Sequence, residues 1–175
     1  MAKIETVRAG FKNDVYDTSV FLADNITLSN NELTLNAVLG GESGSFRTKA
    51  SAYDISDSSV AVKYVSATNT QEVDIYLIEI NGGGTRPRFV VKYINNLSAG
   101  YLRAQFGSQV ITSSVFDYNT EIYVRIRYEV VTASSGILHY ETSGDGLSWS
   151  AFATQITSSG NFTPTSRGFE VYAFC

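Results

Sequence analysis

A chain of 175 residues with 13 Lys+Arg against 17 Asp+Glu, a net charge of −4 and a pI near 5.0 has no runs of basic residues. It therefore lacks the electrostatic footprint of a duplex-binding protein. Its length fits one domain burying roughly 70% of the surface the unfolded chain exposes, and its single cysteine, Cys175, excludes an internal disulfide framework. No segment reaches the ~18 consecutive apolar residues that span a bilayer, and the Met1 to Thr6 start lacks the apolar run of a secretory signal.

With 11 Tyr, 10 Phe and a single Met among many Ser, Thr, Asn and Gly, the composition suits strands and turns. Residues 1–24 carry mixed charges and Phe11, Val15, Tyr16, Val20, Phe21 and Leu22 without clean periodicity, and are expected to form a leader or arm packed on a domain at 25–175. From Ile26 the pattern sharpens. Ile26 to Leu28, a Ser29-Asn30-Asn31 turn and Leu33 to Ala37 predict a hairpin, because Asn tolerates the positive φ of tight turns. A strand through Phe46 and Thr48 follows a glycine-rich break, then a turn over Asp54 to Ser59, then a strand with Val60, Val62 and Tyr64 inward.

Glu72 to Ile80 predicts a strand with Val73, Ile75 and Leu77 on one face and Glu72, Asp74 and Tyr76 on the other. The following Asn81 to Thr85 loop is glycine-rich, but neither a Gly-Lys-Ser/Thr signature nor a helix pattern follows, so a phosphate cradle is not indicated. Strands at Arg86 to Ile94, Tyr101 to Phe106 and Val110 to Phe116 continue the series. The sharpest alternation lies in Glu121 to Val130: Ile122, Val124, Ile126, Tyr128 and Val130 face the core, opposed by Tyr123, Arg125, Arg127 and Glu129. A second strand through Leu138 and Tyr140, a tight Gly144-Asp145-Gly146 turn, Trp149 and a closing strand at Gly168 to Phe174 complete about twelve strands. With no helix pattern, this predicts an all-β, two-sheet antiparallel sandwich or jelly roll.

The stretch Tyr123 to Tyr128, followed by Leu138 to Trp149 with its Ser143-Gly144-Asp145-Gly146 turn and re-entering tryptophan, resembles the concanavalin A-like lectin/glucanase superfamily, including its laminin-G-like modules. Leu33-Thr34-Leu35 and Phe169 to Tyr172 are similar to the family's early hairpin and closing strand. The resemblance implies a concanavalin A-like jelly roll, which by itself does not assign a function. Laminarinase-like members carry a Glu-x-Asp-x-Glu strand. Here Glu72 and Asp74 match and Tyr76 stands at the third position. On a regular strand Glu79 lies at an odd offset from Glu72 and cannot substitute, so glycosidase chemistry, which needs two flanking carboxyl groups, is not expected.

His139 is the only histidine, which excludes a two-histidine metal site, and no Gly-x-Ser-x-Gly elbow surrounds a serine. Asp54, Asp57, Asn81 and Asp145 offer oxygen ligands, so calcium is carried as a candidate ion, but the Asp-x-Asx-x-Asx-Gly loop is absent and no cofactor is expected. Trp149 is expected to pack at the core or rim. If the middle strands share one sheet, their polar positions Asp74, Tyr76, Arg88, Lys92, Tyr101, Arg103, Gln105, Tyr123, Arg125 and Arg127 build one surface of rings and guanidinium forks. Such a surface binds sugar faces, acidic sugars or a partner protein, and it also describes an ordinary solvated sheet.

The functional expectation is a non-enzymatic bacteriophage virion protein, made in the host cytoplasm and carried on the particle. Its partners would be a host-surface glycan or a neighbouring virion subunit, with no nucleic acid and no membrane insertion, and a homo-oligomer is a candidate assembly. The alternatives are a carbohydrate-binding module of an exported bacterial protein and, third, a glucanase-like hydrolase.

Overall fold

The computed structural model describes residues 18–29, 32–35, 44–49, 53–65, 73–82, 84–93, 100–117, 119–158 and 160–174. Thirteen strands run through them: β1 Phe21–Asp24, β2 Ile26–Ser29, β3 Glu32–Leu35, β4 Ser45–Thr48, β5 Ser58–Tyr64, β6 Val73–Asn81, β7 Pro87–Tyr93, β8 Gly100–Phe106, β9 Gln109–Phe116, β10 Ile122–Thr132, β11 Ser135–Ser143, β12 Ser150–Ser158 and β13 Gly168–Phe174. A seven-stranded sheet has the order β1-β4-β13-β6-β7-β8-β9, a four-stranded sheet the order β12-β11-β10-β5, and β2 and β3 pair as a separate hairpin. All pairings between these strands are antiparallel. The chain is thus the expected all-β sandwich.

Period-2 alternation fills the space between the sheets. Ile78, Ile80, Phe89, Val91, Leu102 and Ala104 of the larger sheet meet Val124, Ile126, Tyr128, Leu138 and Tyr140 of the smaller one in a single buried cluster. Phe89 packs edge-on to Tyr140 with ring centroids 5.5 Å apart. Across the same gap the Tyr140 hydroxyl donates to the Gln105 carbonyl at 2.7 Å, giving the one polar atom of this inward ring an acceptor. Residues 21–24, the end of the expected leader, add the edge strand β1 to the larger sheet; residues 1–17 lie outside the described residues.

One irregularity sets the polar face of the larger sheet. Tyr76 and Ile78 stand opposite the consecutive residues Val90 and Phe89 of β7, and the same offset recurs against β13, where Tyr76 and Glu79 oppose Tyr172 and Glu170. Leu77 is therefore an extra residue, a β-bulge. Leu77, Ile78 and Ile80 all join the core, while Glu79 shares the outward face with Asp74 and Tyr76. The expectation that Glu79 must lie on the opposite face is corrected: it assumed a regular strand, and the bulge inverts the parity.

The polar run 157–166 hides a second unanticipated feature. Phe162 and Arg167, at the two ends of its loop, are each 1% exposed. The Arg167 guanidinium lies 4.0 Å from the Phe162 ring; its Nε donates to the Thr163 carbonyl at 2.5 Å and its Nη1 to the Gly82 carbonyl. Burial holds its pKa below the ordinary arginine value. Gly82, at φ +96°, is required here, because a Cβ would come within 2.4 Å of the Ser166 carbonyl oxygen.

Candidate functional site

The two outward faces divide the expected site. Asp74, Tyr76, Arg88, Tyr101 and Arg103 lie on β6, β7 and β8 of the seven-stranded sheet, whereas Tyr123, Arg125 and Arg127 lie on β10 of the four-stranded sheet. The inward residues of both sheets form one core, so these two groups face away from each other. The single ten-residue surface expected from the sequence is corrected to two: β10 alternates like its counterparts but belongs to the other layer.

Cross-strand registers arrange the larger face in three rows. Asp74, Lys92, Tyr101 and Val115 form the first. Tyr172, Tyr76, Val90, Arg103 and Ser113 form the second, and Arg47, Glu170, Glu79, Arg88, Gln105 and Val110 the third. At the centre, Val90 is 1% exposed although it points away from the core cluster. Its neighbours therefore close over it, and the face has a buried apolar floor.

Glu79, 1% exposed, anchors this lattice. Its Oε1 accepts Arg86 Nη1 at 2.8 Å, and its Oε2 accepts Arg88 Nε at 2.5 Å and the Tyr172 hydroxyl at 3.0 Å. A carboxylate this deeply buried is tolerated because charged donors and a hydroxyl occupy it. Tyr172 in turn stacks on Tyr76, with centroids 4.2 Å apart and planes 7° from parallel, and the Arg88 guanidinium covers Tyr76 at 5.4 Å from its centroid. Tyr76 is thereby held as a strut between Tyr172 and Arg88. Burial, then the negative charge of Glu79, pushes the Tyr172 pKa upward; burial and Asp74 push Tyr76 the same way.

Glu170 stands directly opposite Glu79 on β13. Burial raises its pKa; Arg47, 3.9 Å away, opposes the shift, and Glu79 reinforces it. Two buried side-chain polar atoms among the described residues lack a hydrogen-bond partner, Asp74 Oδ1 and Arg103 Nε. Both belong to this face. Lys92 Nζ lies 3.4 Å from Asp74 Oδ1 as an ion pair, and Arg103 sits over the Tyr101 ring at 5.4 Å.

The opposite face closes on itself. Arg125 Nε donates to Glu141 at 2.7 Å and its guanidinium covers Trp149 at 4.1 Å. Arg127 reaches Glu129 at 3.2 Å and Glu141 at 3.7 Å, and His139 Nε2 meets Glu129 at 2.9 Å. Trp149 is half-buried outside the core cluster, a rim residue with one ring face under Arg125. In the adjoining turn Asp145 accepts the Leu147 and Ser148 N–H groups at 2.8 and 2.7 Å, which with Ser143 holds its pKa well below the usual carboxylate range.

Three of the oxygen ligands considered for calcium have backbone N–H partners of their own. Asp54 accepts the Ser56 N–H, Asp57 accepts the Val130 N–H, and Asp145 is committed to its own turn. Among the described residues no three His, Cys, Asp or Glu side chains gather to hold a metal ion. Glu72, first member of the Glu-x-Asp-x-Tyr stretch, lies outside the described residues.

No protein-family model matches the chain, and no curated protein does. Among solved structures, the endo-1,3-beta-glucanase from Streptomyces sioyaensis is similar, with a TM-score of 0.59 and 9% sequence identity over 90% of this chain and 78% of that one. At that identity the likeness shows the fold alone, a two-sheet jelly-roll sandwich.

Proposed function

We propose that this protein binds glycan without cleaving it, through the outward face of the seven-stranded sheet. The observation that carries the reading is the lattice built around Glu79: rings and guanidinium groups locked in place before any ligand arrives, beside an Arg103 that has no carboxylate partner among the described residues. Preorganised polar groups of this kind bind sugars economically, because little side-chain order remains to be imposed.

The likeness to an endo-1,3-beta-glucanase and the facing pair Glu79 and Glu170 favour a second reading, glycoside hydrolysis. Glu170, with its raised pKa, has the character of a proton donor. Its opposite member does not suit the partner role: Glu79 is nearly inaccessible, with three donors on its oxygens, whereas a nucleophile or base must reach the sugar or a water. Binding alone is thus better supported.

The setting we propose is a bacteriophage particle, with host glycan or a neighbouring virion subunit as partner; its support is compositional, a Tyr-, Ser-, Thr- and Asn-rich jelly roll. A module of an exported bacterial protein is the alternative. Self-association is supported by the edges: β9 and β12 contain no charged residue and expose Val115 and Ile156 at 73% and 74%, where protected edges usually carry charge.

A glycan array probed with the wild type, Asp74→Asn/Tyr101→Ala and Tyr123→Ala/Arg125→Ala tests the assignment. Binding lost only in the first double variant is expected. Absence of binding to every glycan would overturn the reading, and release of reducing sugar from laminarin would replace it with the second. Co-sedimentation with purified virions tests the setting.

A further inference from the structure

We infer that the glycan recognised on this face is acidic, and that Arg103 receives its carboxylate. The inference rests on the glycan-binding reading and adds the ligand's chemical class.

Arg86 and Arg88 pair with Glu79, Lys92 with Asp74, and Arg47 with Glu170. Arg103 has no carboxylate partner among the described residues, and its buried Nε has no acceptor. Its cross-strand neighbours are Val90 on β7 and Ser113 on β9, neither able to neutralise it. Arg88 and Lys92 flank Val90 along β7, and their own pairing with Glu79 and Asp74 leaves neither carboxylate to Arg103.

A guanidinium left without a counter-charge on a partly buried face is costly. That charge is met by one ligand group, a carboxylate, whose two oxygens match the outer Nη edge of the planar arginine fork. Tyr101 lies against the guanidinium at 5.4 Å and limits its rotation, so the fork is presented in a set orientation. The carboxylates across β7, Asp74 and Glu79, are engaged by Lys92 and by Arg86 and Arg88. A neutral sugar would leave the Arg103 charge unmet. The chain as a whole is negative, which makes this local attraction and not long-range steering.

The experiment is calorimetric titration of the full chain with an oligogalacturonate, the same oligosaccharide after reduction of its carboxyl groups to neutral hexose, and a sulfated galactan oligosaccharide. The uronate should bind about ten- to hundredfold more tightly than its reduced form, the factor expected of hydrogen bonds to a charged group. Arg103→Gln should erase that ratio, Arg103→Lys should keep part of it, and Arg127→Gln on the opposite face should keep all of it. Thermal unfolding of each variant separates loss of the group from loss of the fold, and Arg103→Lys carries the test if Arg103→Gln does not fold.

Equal binding of the uronate and its reduced form would overturn the inference and leave the glycan reading standing. Binding of the sulfated oligosaccharide alone would overturn the carboxylate assignment. A uronate preference that survives in Arg103→Gln would overturn the role of Arg103, and no binding by any member or any array glycan would overturn both proposals.

Discussion

The outward faces of the two sheets are written in the same residue types, tyrosine, arginine and glutamate at alternate positions, yet they are physically different. On the four-stranded sheet Arg125, Arg127, Glu129, His139 and Glu141 neutralise one another at the surface. On the seven-stranded sheet one carboxylate is drawn under the surface, Tyr172 is bound to it and Tyr76 stacked on Tyr172, and two buried polar atoms nearby lack a hydrogen-bond partner. The difference arises from register. Opposite signs fall on facing positions in both sheets, Arg125 with Glu141 and Arg88 with Glu79, but on the seven-stranded sheet Arg103 faces only Val90 and Ser113.

The most drastic way to break this contrast is to alter the parity of β6. Deleting Ile75 should turn Asp74 into the core and abolish cooperative unfolding. Deleting Leu77, the extra residue, leaves Tyr76 and Glu79 on the same face and should cost about 3 kcal/mol for the lost buried side chain while the near-UV spectrum persists. Equal damage from both deletions would remove the bulge from the explanation. Next comes the anchor. Glu79→Ala strands two guanidinium groups and should lower stability by about 3 kcal/mol in urea unfolding, against about 1 kcal/mol for Glu141→Ala, whose partners can turn to solvent; similar values would mean that the two ladders are equivalent. Gly146→Ala, at φ +74° with the Tyr123 ring 3.0 Å from the added Cβ, should cost about 1–2 kcal/mol on the four-stranded side.

The smallest effect is one of pH. Burial raises the Glu170 pKa in the folded chain, so the native state holds this proton more tightly than the unfolded one. Its contribution is complete below the ordinary carboxylate pKa and is lost as pH rises through the raised value. Stability should therefore increase as pH falls from neutral toward the carboxylate range, and Glu170→Gln should flatten that dependence. An unchanged profile in the variant would assign the dependence to another group.

The sandwich was legible because most strands alternate cleanly and the turns between them are rich in Gly, Asn and Asp. The run 150–158 was less legible: Ala151, Phe152 and Ala153 are consecutive small or apolar residues, and Ile156 faces solvent, so period 2 is blurred in β12. Layer assignment was not legible, since alternation reports that one face is buried without naming the sheet, and Tyr123, Arg125 and Arg127 were grouped with residues on the far side. The Leu77 bulge was hidden because Leu77-Ile78 reads as two apolar neighbours in either geometry. Arg167 gave only a weak signal, an isolated arginine between a polar run and a closing strand, and its partners are backbone carbonyls that sequence cannot point to.

The strand β13 has a consequence for how the molecule comes into being. It is hydrogen-bonded to β4 on one side and β6 on the other, and among the described residues no other pairing joins β1 and β4 to β6 through β9. During synthesis these two pieces wait with open edges until residues 168–174 emerge and slot between them, which is the kind of non-local closure that folds on the order of milliseconds to seconds. Tyr172 arrives with that keystone, so the lattice around Glu79 is among the last parts of the chain to be assembled. A nascent chain stalled before it would hold two unpaired edges and no Glu79 lattice, a natural client for a chaperone.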